Sequence, residues 1–402
     1  MNRKQTLVLT VFLLCVWLLF ISVLRANLSN TPDSVRWFND HNDRWIYMLR
    51  GEWLPLGRVP YKDVLSEYPQ IPTYLFGLLH LLVRSNSEQM VYFWHSSLFS
   101  FMMLIFLLMT IRLLYEMLPE RKWMACLMLL PASLYFTYNR FDILPAFLCL
   151  WSLWLLKRQK HALSAIVLGV GALTKWYPAL LLPIYLSYDY ALNKRLNWNM
   201  VVSFSVTCIL IMLPTLVMGG ADAVLSPFIL HAERGMEQVS LPVLLNVVLS
   251  WLRITPNLAQ IKYTFLILQL VMVPVSLFVR IDTFEKVLQW EVLVLVFFIL
   301  FSRIYSPQWI LWLMPVMILS IRTRFDLAWI VVYNVVVYLA FPVAVDLRGI
   351  DSLEYKLAGA ANMIILAVLL GIALYRAKIH FTWNFVHFMN DRLSNLFRSK
   401  SA

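Results

Sequence analysis

Residues 7–24 read LVLTVFLLCVWLLFISVL, an unbroken apolar run behind the short basic start Met1-Asn2-Arg3-Lys4. A bilayer-crossing helix needs about 20 apolar residues, because each adds about 1.5 Å across a hydrocarbon core of about 30 Å. The run is long for a secretory leader, and no small-x-small pair closes it cleanly, so an uncleaved anchor is expected. Similar runs recur near 90–111, 123–137, 143–156, 162–174, 178–187, 199–217, 263–279, 287–301, 309–321, 325–345 and 357–375.

Composition agrees. Of 402 residues, 61% are hydrophobic and 14% charged, whereas a soluble domain is about half apolar and about a quarter charged. The expected fold is all-α, a polytopic transmembrane helical bundle of about a dozen spans. Several runs are shorter than about 17 residues and borrow from their flanks. Pro131, Pro145, Pro178, Pro183, Pro214, Pro274, Pro315 and Pro342 lie in or beside them, which membrane helices tolerate when neighbours satisfy the freed backbone groups. Cys15, Cys126, Cys149 and Cys208 all fall in apolar stretches, as buried thiols do and disulfide or metal clusters do not.

The net charge of +12 would suggest nucleic acid for a soluble chain. In a membrane protein, Lys and Arg collect in cytoplasmic loops, and no nucleic-acid partner is expected. Placing Arg121-Lys122, Lys157-Arg158-Lys160, Lys194-Arg195 and Arg322/Arg324 inside puts both termini inside. That orientation needs 69–83 to be a helix lying on, or dipping into, the outer surface. Two long segments then face outward, 26–89 directly after the first span and 218–260. With them go the short connections 138–142, 175–177, 303–308 and 346–356. The expected units are a transmembrane bundle over 1–376 and a cytoplasmic, basic, amphipathic tail over 377–402, with Trp383, Phe385, Phe388 and Leu396 among its basic residues.

Chemistry gathers on the outer side. The first outer segment interleaves Asp33, Asp40, Asp43, Glu52, Asp63 and Glu67 with Trp37, Trp45, Tyr47, Trp53, Tyr61 and Tyr68. A carboxylate beside apolar surface gains proton affinity and suits a general base; an ordinary solvated loop would use the same acids to balance Arg36, Arg44, Arg50, Arg58 and Lys62. Arg140, Asp142, Lys175, Arg234 and Arg303 sit at the mouths of spans, where an ionisable group is costly and marks function. Several cations facing one cavity suit a phosphate, although Arg140 with Asp142 also reads as a local ion pair. His231 and Arg234, with Gly235 beside them, suit a phosphate or a plain turn. No P-loop, dinucleotide fingerprint, zinc motif or nucleophile elbow is present.

These motifs in order resemble the polytopic GT-C glycosyltransferases, specifically glycosyltransferase family 87. The matching residues are Asp43-x-x-x-Tyr47, Gly57-x-x-Pro60-Tyr61-x-Asp63, Glu67-Tyr68-Pro69, Arg140-Phe-Asp142-x-x-Pro145, Leu173-Thr-Lys175-Trp-Tyr177-Pro178, His231-x-x-Arg234-Gly235 and Ser306-Pro307-Gln308-Trp-x-x-Trp312. Gln70 departs from the family's second proline. The resemblance implies a GT-C-like bundle and an outer-face site in a plasma membrane, most simply bacterial. It also implies inverting transfer of a hexose, mannose favoured, from a polyprenyl-phosphate sugar to a lipid or glycan acceptor. On that basis Asp43 is expected as catalytic base, with Tyr47, Tyr61, Asp63 and Glu67 supporting it or holding acceptor. Lys175, His231, Arg234 and Arg303 would hold the donor phosphate, with Arg140, Asp142 and Gln308 completing the motifs. No cofactor is expected, although a carboxylate pair here could take a divalent cation. Rival readings are a transporter or flippase of lipid-linked sugars, and an outer-face glycan polymerase or ligase. The first predicts related halves, which the chain lacks. The second predicts a large outer loop late in the chain.

Overall fold

The computed structural model describes residues 40–83, 85–255 and 257–377. The expected anchor and all but the first residue of the expected tail lie outside this range. The described residues are helices and connecting turns, with an isolated β-bridge between Pro60 and Val64.

Helix α1, His41–Gly51, begins where the Asp40 side chain accepts from the Asn42 amide at 3.0 Å, an N-cap that satisfies an orphan donor. A turn-rich segment leads to α2, Gln70–Leu82, and then to α3, Glu88–Met117. The run 123–137 divides at Pro131 into a 3₁₀ segment, Lys122–Leu129, and α4, Pro131–Asn139, since proline suits a first helical turn but not an interior. Helices α5, Ile143–Lys157, and α6, His161–Thr174, form a hairpin. Inside it Ser152 and Ser164 each donate to the other's carbonyl, at 2.7 and 2.8 Å, so neither hydroxyl is orphaned among apolar neighbours. A 3₁₀ turn, Tyr177–Leu181, leads into α7, Leu182–Asn193.

The segment 218–260, expected as an outer loop, is largely helical. Helix α8 runs Trp198–Glu233, and α9 follows at Leu241–Trp251. The Gly219-Gly220 pair kinks α8 without ending it, with Gly220 at φ 77°, a conformation glycine adopts without steric cost. The apolar residues beyond, through Leu230, resume the helix. His231 is therefore on a helical last turn and not in a plain loop.

Helices α10, Leu258–Leu268, and α11, Met272–Leu277, lead to α12, Phe284–Leu300. A 3₁₀ turn, Pro307–Trp309, precedes α13, Ile310–Leu319. Helix α14, Arg324–Tyr338, passes through a π-helical stretch, Leu339–Ala344, with a cis Phe341–Pro342 bond, into α15, Val345–Arg348. Helix α16, Leu353–Ala377, closes the described chain.

Every residue of α13 from Ile310 to Ile318 is buried, as befits a helix apolar on all sides. It is the axis of the bundle. Asn334 of α14 fastens the neighbouring layer: it accepts from the Ala132 amide at 2.8 Å and donates to Ser133 Oγ at 2.7 Å. Helix α8 is the reverse, with Val202, Ile209, Leu210 and Val217 exposed, the surface a hydrocarbon solvent accepts. Among the described residues five helical stretches are long and apolar enough to cross a membrane: α3, α8, Gln260–Leu277, Arg324–Arg348 and α16. The higher sequence-based count also includes shorter runs, among them α5, α6 and Pro307–Leu319, whereas the short apolar helix α9 lies in the segment expected as an outer loop. The stretch 69–83 does form a helix, α2, which packs against α1.

That packing depends on a glycine. A Cβ on Gly51 would lie 2.4 Å from the Phe76 carbonyl oxygen of α2, and backbone cannot turn aside as a side-chain tip can. Gly51→Ala is expected to destabilise the protein by about 1–3 kcal/mol, read as a lower thermal midpoint in detergent. An unchanged midpoint would mean that α1 does not rest on α2 this closely.

Candidate active site

Three helix ends and two connections meet at one end of the bundle. Helix α1 brings its first turn, and α4 and α5 bring the connection 140–142. The end of α6 supplies 175–177, the end of α8 supplies 231–237, and the α12–α13 connection supplies 302–309. Between them lies a cavity of about 340 Å³, lined by Asp43, Glu67, Arg140, Lys175, His231, Arg234, Arg303 and Gln308 together with an aromatic wall. Its size falls within the range of small-molecule sites.

Arg140 is buried, 5% exposed, and faces two carboxylates. It donates to Asp40 Oδ2 through a terminal nitrogen. Its Nε lies 2.7 Å from Asp43 Oδ2, yet that N–H is not aimed at the oxygen. Asp43 is thus held by charge more than by a directed hydrogen bond. Asp40 is further fixed by its own amide, which donates to Asn139 Oδ1 at 2.9 Å. The two acids diverge as a result. Burial pushes Asp40 up, but Arg140's charge and hydrogen bond, the Asn42 amide and Arg44 outweigh it and hold the carboxyl below its usual range. For Asp43 burial wins over Arg140 and Lys175, aided by the charges of Asp40 and Asp142, and its carboxyl is raised above the ordinary 3.8.

The alternative of a local Arg140–Asp142 ion pair is not what forms. Asp142, 1% exposed, pairs instead with Lys175, whose Nζ donates to Oδ1 at 2.6 Å. Trp312 Nε1 donates to the same oxygen at 2.7 Å. Lys175 also stands over the Phe141 and Trp312 rings at 4.9 and 5.2 Å, so its ammonium is placed from three sides. Around it Tyr177 stacks on Trp312 at 4.1 Å and Trp309 on Trp312 at 4.6 Å. Trp176 stacks on Phe228 at 4.7 Å and meets His231 edge-on at 5.0 Å.

Arg303 plays a part its sequence position does not reveal. Its guanidinium donates to the carbonyls of His231 at 2.8 Å and Ala232 at 3.0 Å, and to that of Arg234. It caps the C-terminus of α8, where unsatisfied carbonyls attract a cation, and so places His231 and Arg234. Arg234 is partly exposed and paired with Glu237 at 2.9 Å.

Of the residues expected to support the acid, only Glu67 lines the cavity, and it is ion-paired with Arg50. Tyr47 is buried beneath, stacked on Phe76 at 4.6 Å. Tyr61 donates to the Tyr68 carbonyl at 2.9 Å, also lies 2.9 Å from Thr73 Oγ1, and stands at positive φ. Asp63 accepts from the Val59 amide at 2.7 Å. Tyr47 packs α1 on α2, Tyr61 and Asp63 shape the segment between them, and none of the three lines the cavity. Gln308 does line it. Sequence reasoning passed over Asp40 as a site residue, and also Tyr68, Phe341 and Tyr355 in the lining; nothing in the spacing of Asp40 separated it from its acidic neighbours. Among the described residues no three His, Cys, Asp or Glu side chains converge as a metal ion would need.

The cavity therefore combines a carboxylate with raised proton affinity, cations at converging helix ends and aromatic faces. No curated protein matches the chain. The sequence pattern described as Glycosyltransferase family 87 matches residues 67–303, which carry every lining element named above except α1 and the residues beyond Arg303. Asp43 lies upstream of the match, so its part rests on the geometry. With well over half its length matched, the chain belongs to glycosyltransferase family 87, a GT-C-type family of membrane glycosyltransferases.

Proposed function

We propose that this glycosyltransferase moves a hexose, with mannose favoured, from a polyprenyl-phosphate sugar to a lipid or glycan acceptor at the outer face of the membrane, with inversion. The observation that carries this reading is the pairing of Asp43 with the cation-lined wall across a single cavity. Asp43 Oδ2 is fixed by the charge of Arg140, and its other oxygen has no hydrogen-bond partner among the described residues. It takes the proton of the acceptor hydroxyl as that oxygen bonds to the anomeric carbon. The bond from that carbon to the phosphate oxygen breaks, and polyprenyl phosphate leaves with the electron pair. Its growing charge is met by Lys175 and Arg234, with His231 beside them. Donors held in place beforehand stabilise such charge without reorganising. A monophosphate leaving group needs no metal to balance its charge in this scheme.

The lipid donor accounts for the architecture. Each buried CH₂ contributes about 0.8 kcal/mol, so a long isoprenoid stays in the bilayer and the enzyme meets it there. The apolar exterior of α8 leads to His231 at the cavity mouth.

The direct test is transfer by purified protein in liposomes, supplied with labelled polyprenyl-phosphate mannose or other lipid-monophosphate sugars and membrane extract as acceptor. Asp43→Asn keeps the shape and removes the base, and is expected to cost about 10²–10⁴ in kcat while the fold survives. Near-full activity in a folded variant would remove Asp43 from this role. Because the base works only when deprotonated, wild-type rate should rise with pH through the Asp43 pKa, and that acid limb should lie above the ordinary carboxylate value of 3.8. A limb at or below that value would contradict the burial argument.

Lys175→Met removes the ammonium and strands Asp142. It is expected to lower kcat by about 10²–10³, the scale of losing one preorganised charge donor, while Lys175→Arg recovers part. Equal activity in Lys175→Met and wild type would place the leaving phosphate elsewhere.

A further inference from the structure

A second cavity, of about 130 Å³, lies at the other end of the same two helices. The active-site cavity uses Ser302 and Arg303 after α12 and Pro307 to Trp312 leading into α13. The second uses Glu285 to Val292 at the start of α12 and Met317 to Arg322 at the end of α13. With 17 residues in α12, the two are about 25 Å apart along the helix axis, close to the thickness of a hydrocarbon core.

Its rim is polar and its walls are not. Arg121, Arg322 and Arg376 meet Glu285, Asp326 and Gln289 at the rim, above Leu288, Val292, Met317, Ile330 and Leu369. Two of the arginines are matched: Arg322 with Glu285 at 2.7 Å and Arg376 with Asp326 at 2.6 Å. Asp326 also accepts from the amides of Arg322 and Thr323, at 2.8 and 2.9 Å, and is fully engaged. Arg121 differs. It donates to the Ile321 carbonyl at 2.7 Å, and no carboxylate among the described residues pairs with it. The rim therefore carries one positive charge in excess, with guanidinium donors to spare, at the mouth of an apolar slot.

We propose that this cavity binds the headgroup of an anionic membrane phospholipid, its singly charged phosphodiester on Arg121 and the start of an acyl chain along the apolar walls. One excess charge matches one phosphodiester. The walls favour a lipid over free phosphate, because a small hydrated anion gains nothing from apolar surface. Basic pockets between membrane helices bind phospholipid headgroups by this combination. The bound lipid ties α12, α13, α14 and α16 together at the end opposite the active site. This inference does not depend on the sugar or acceptor proposed above.

The test measures lipid retention by the full-length protein, by native mass spectrometry after exchange into phosphatidylglycerol or phosphatidylcholine, with the thermal midpoint as second readout. Phosphatidylglycerol is expected to be retained and to raise the midpoint, and phosphatidylcholine to do neither. Arg121→Ala should weaken phosphatidylglycerol retention by roughly tenfold or more, the scale of a charge-assisted hydrogen bond, and Arg121→Lys should keep most of it. Arg112→Ala removes an exposed cation that pairs with Glu116 on α3 and should change nothing. Equal retention of the two lipids by wild type overturns the proposal, as does equal loss in Arg112→Ala and Arg121→Ala. If glycerol phosphate without acyl chains protects as well as the lipid, the site is one for free phosphate and the lipid assignment falls. Should Arg121→Ala fail to fold, the wild-type comparison of the two lipids decides alone.

Discussion

Arg140 holds the active site together because it is a buried cation that cannot lose its proton. Taking a guanidinium out of water costs several kcal/mol unless matched charge and hydrogen bonds replace the water. The chain answers with Asp40 and Asp43, both from a helix nearly a hundred residues upstream. The desolvation of one side chain thus forces α1 against the connection between α4 and α5, whatever course the intervening chain takes. The unequal sharing of that cation has a chemical consequence. Asp40 takes the directed hydrogen bond and becomes a firm anion. Asp43 receives charge without a directed donor and keeps proton affinity. Two carboxylates on one arginine are sorted into a firm anion and one of raised proton affinity.

The same logic repeats at the second buried acid. Asp142 gathers Lys175 and Trp312 onto one oxygen, which joins the end of α6 to the start of α13. Trp312 then carries the stacked rings of Tyr177 and Trp309. A polar contact thereby sets the orientation of an aromatic surface, and packing of that surface fixes Lys175 in return. Such networks gain when every member is satisfied and lose heavily when one is missing.

How much of this was legible in the sequence varied with the range of the interaction. Helical character was readable along most of the chain, since apolar runs act locally, as the helix over 70–82 illustrates; the division of the run 123–137 at Pro131 appears only in the fold. The segment 218–260, expected as an outer loop, differs for a local reason: the helix kinks at Gly220 and continues through the apolar residues beyond it. Several cavity-lining residues were readable as a set, because charges beside apolar runs are costly and stand out. Lys175, His231, Arg234, Arg303 and Gln308 do line the cavity with Asp43 and Glu67. Their partners were not readable. Arg140 and Asp142 are two positions apart and invite pairing, yet extended backbone at Arg140 (φ −133°, ψ 155°) turns them to opposite neighbours. Tyr61 and Asp63 carry the same motif signal as Asp43, and only the fold shows that they shape a turn.

Arg303 shows how a cation beside a cavity can be engaged by the protein's own backbone. A helix that ends beside a cavity presents unsatisfied carbonyls there, and these would repel an anion. Arg303 covers the end of α8 with hydrogen bonds to three carbonyls, which removes the repulsion and leaves the charges of Lys175 and Arg234 to act. Without it, the negative end of the α8 dipole would face the cavity, where the proposed reaction builds up negative charge. The guanidinium is suited to this because its donors are spread in a plane and its charge does not titrate. A lysine would offer a single nitrogen to three diverging oxygens. For the proposed reaction, the cavity's electrostatics therefore depend as much on the charge spent on capping α8 as on the charges that face the cavity.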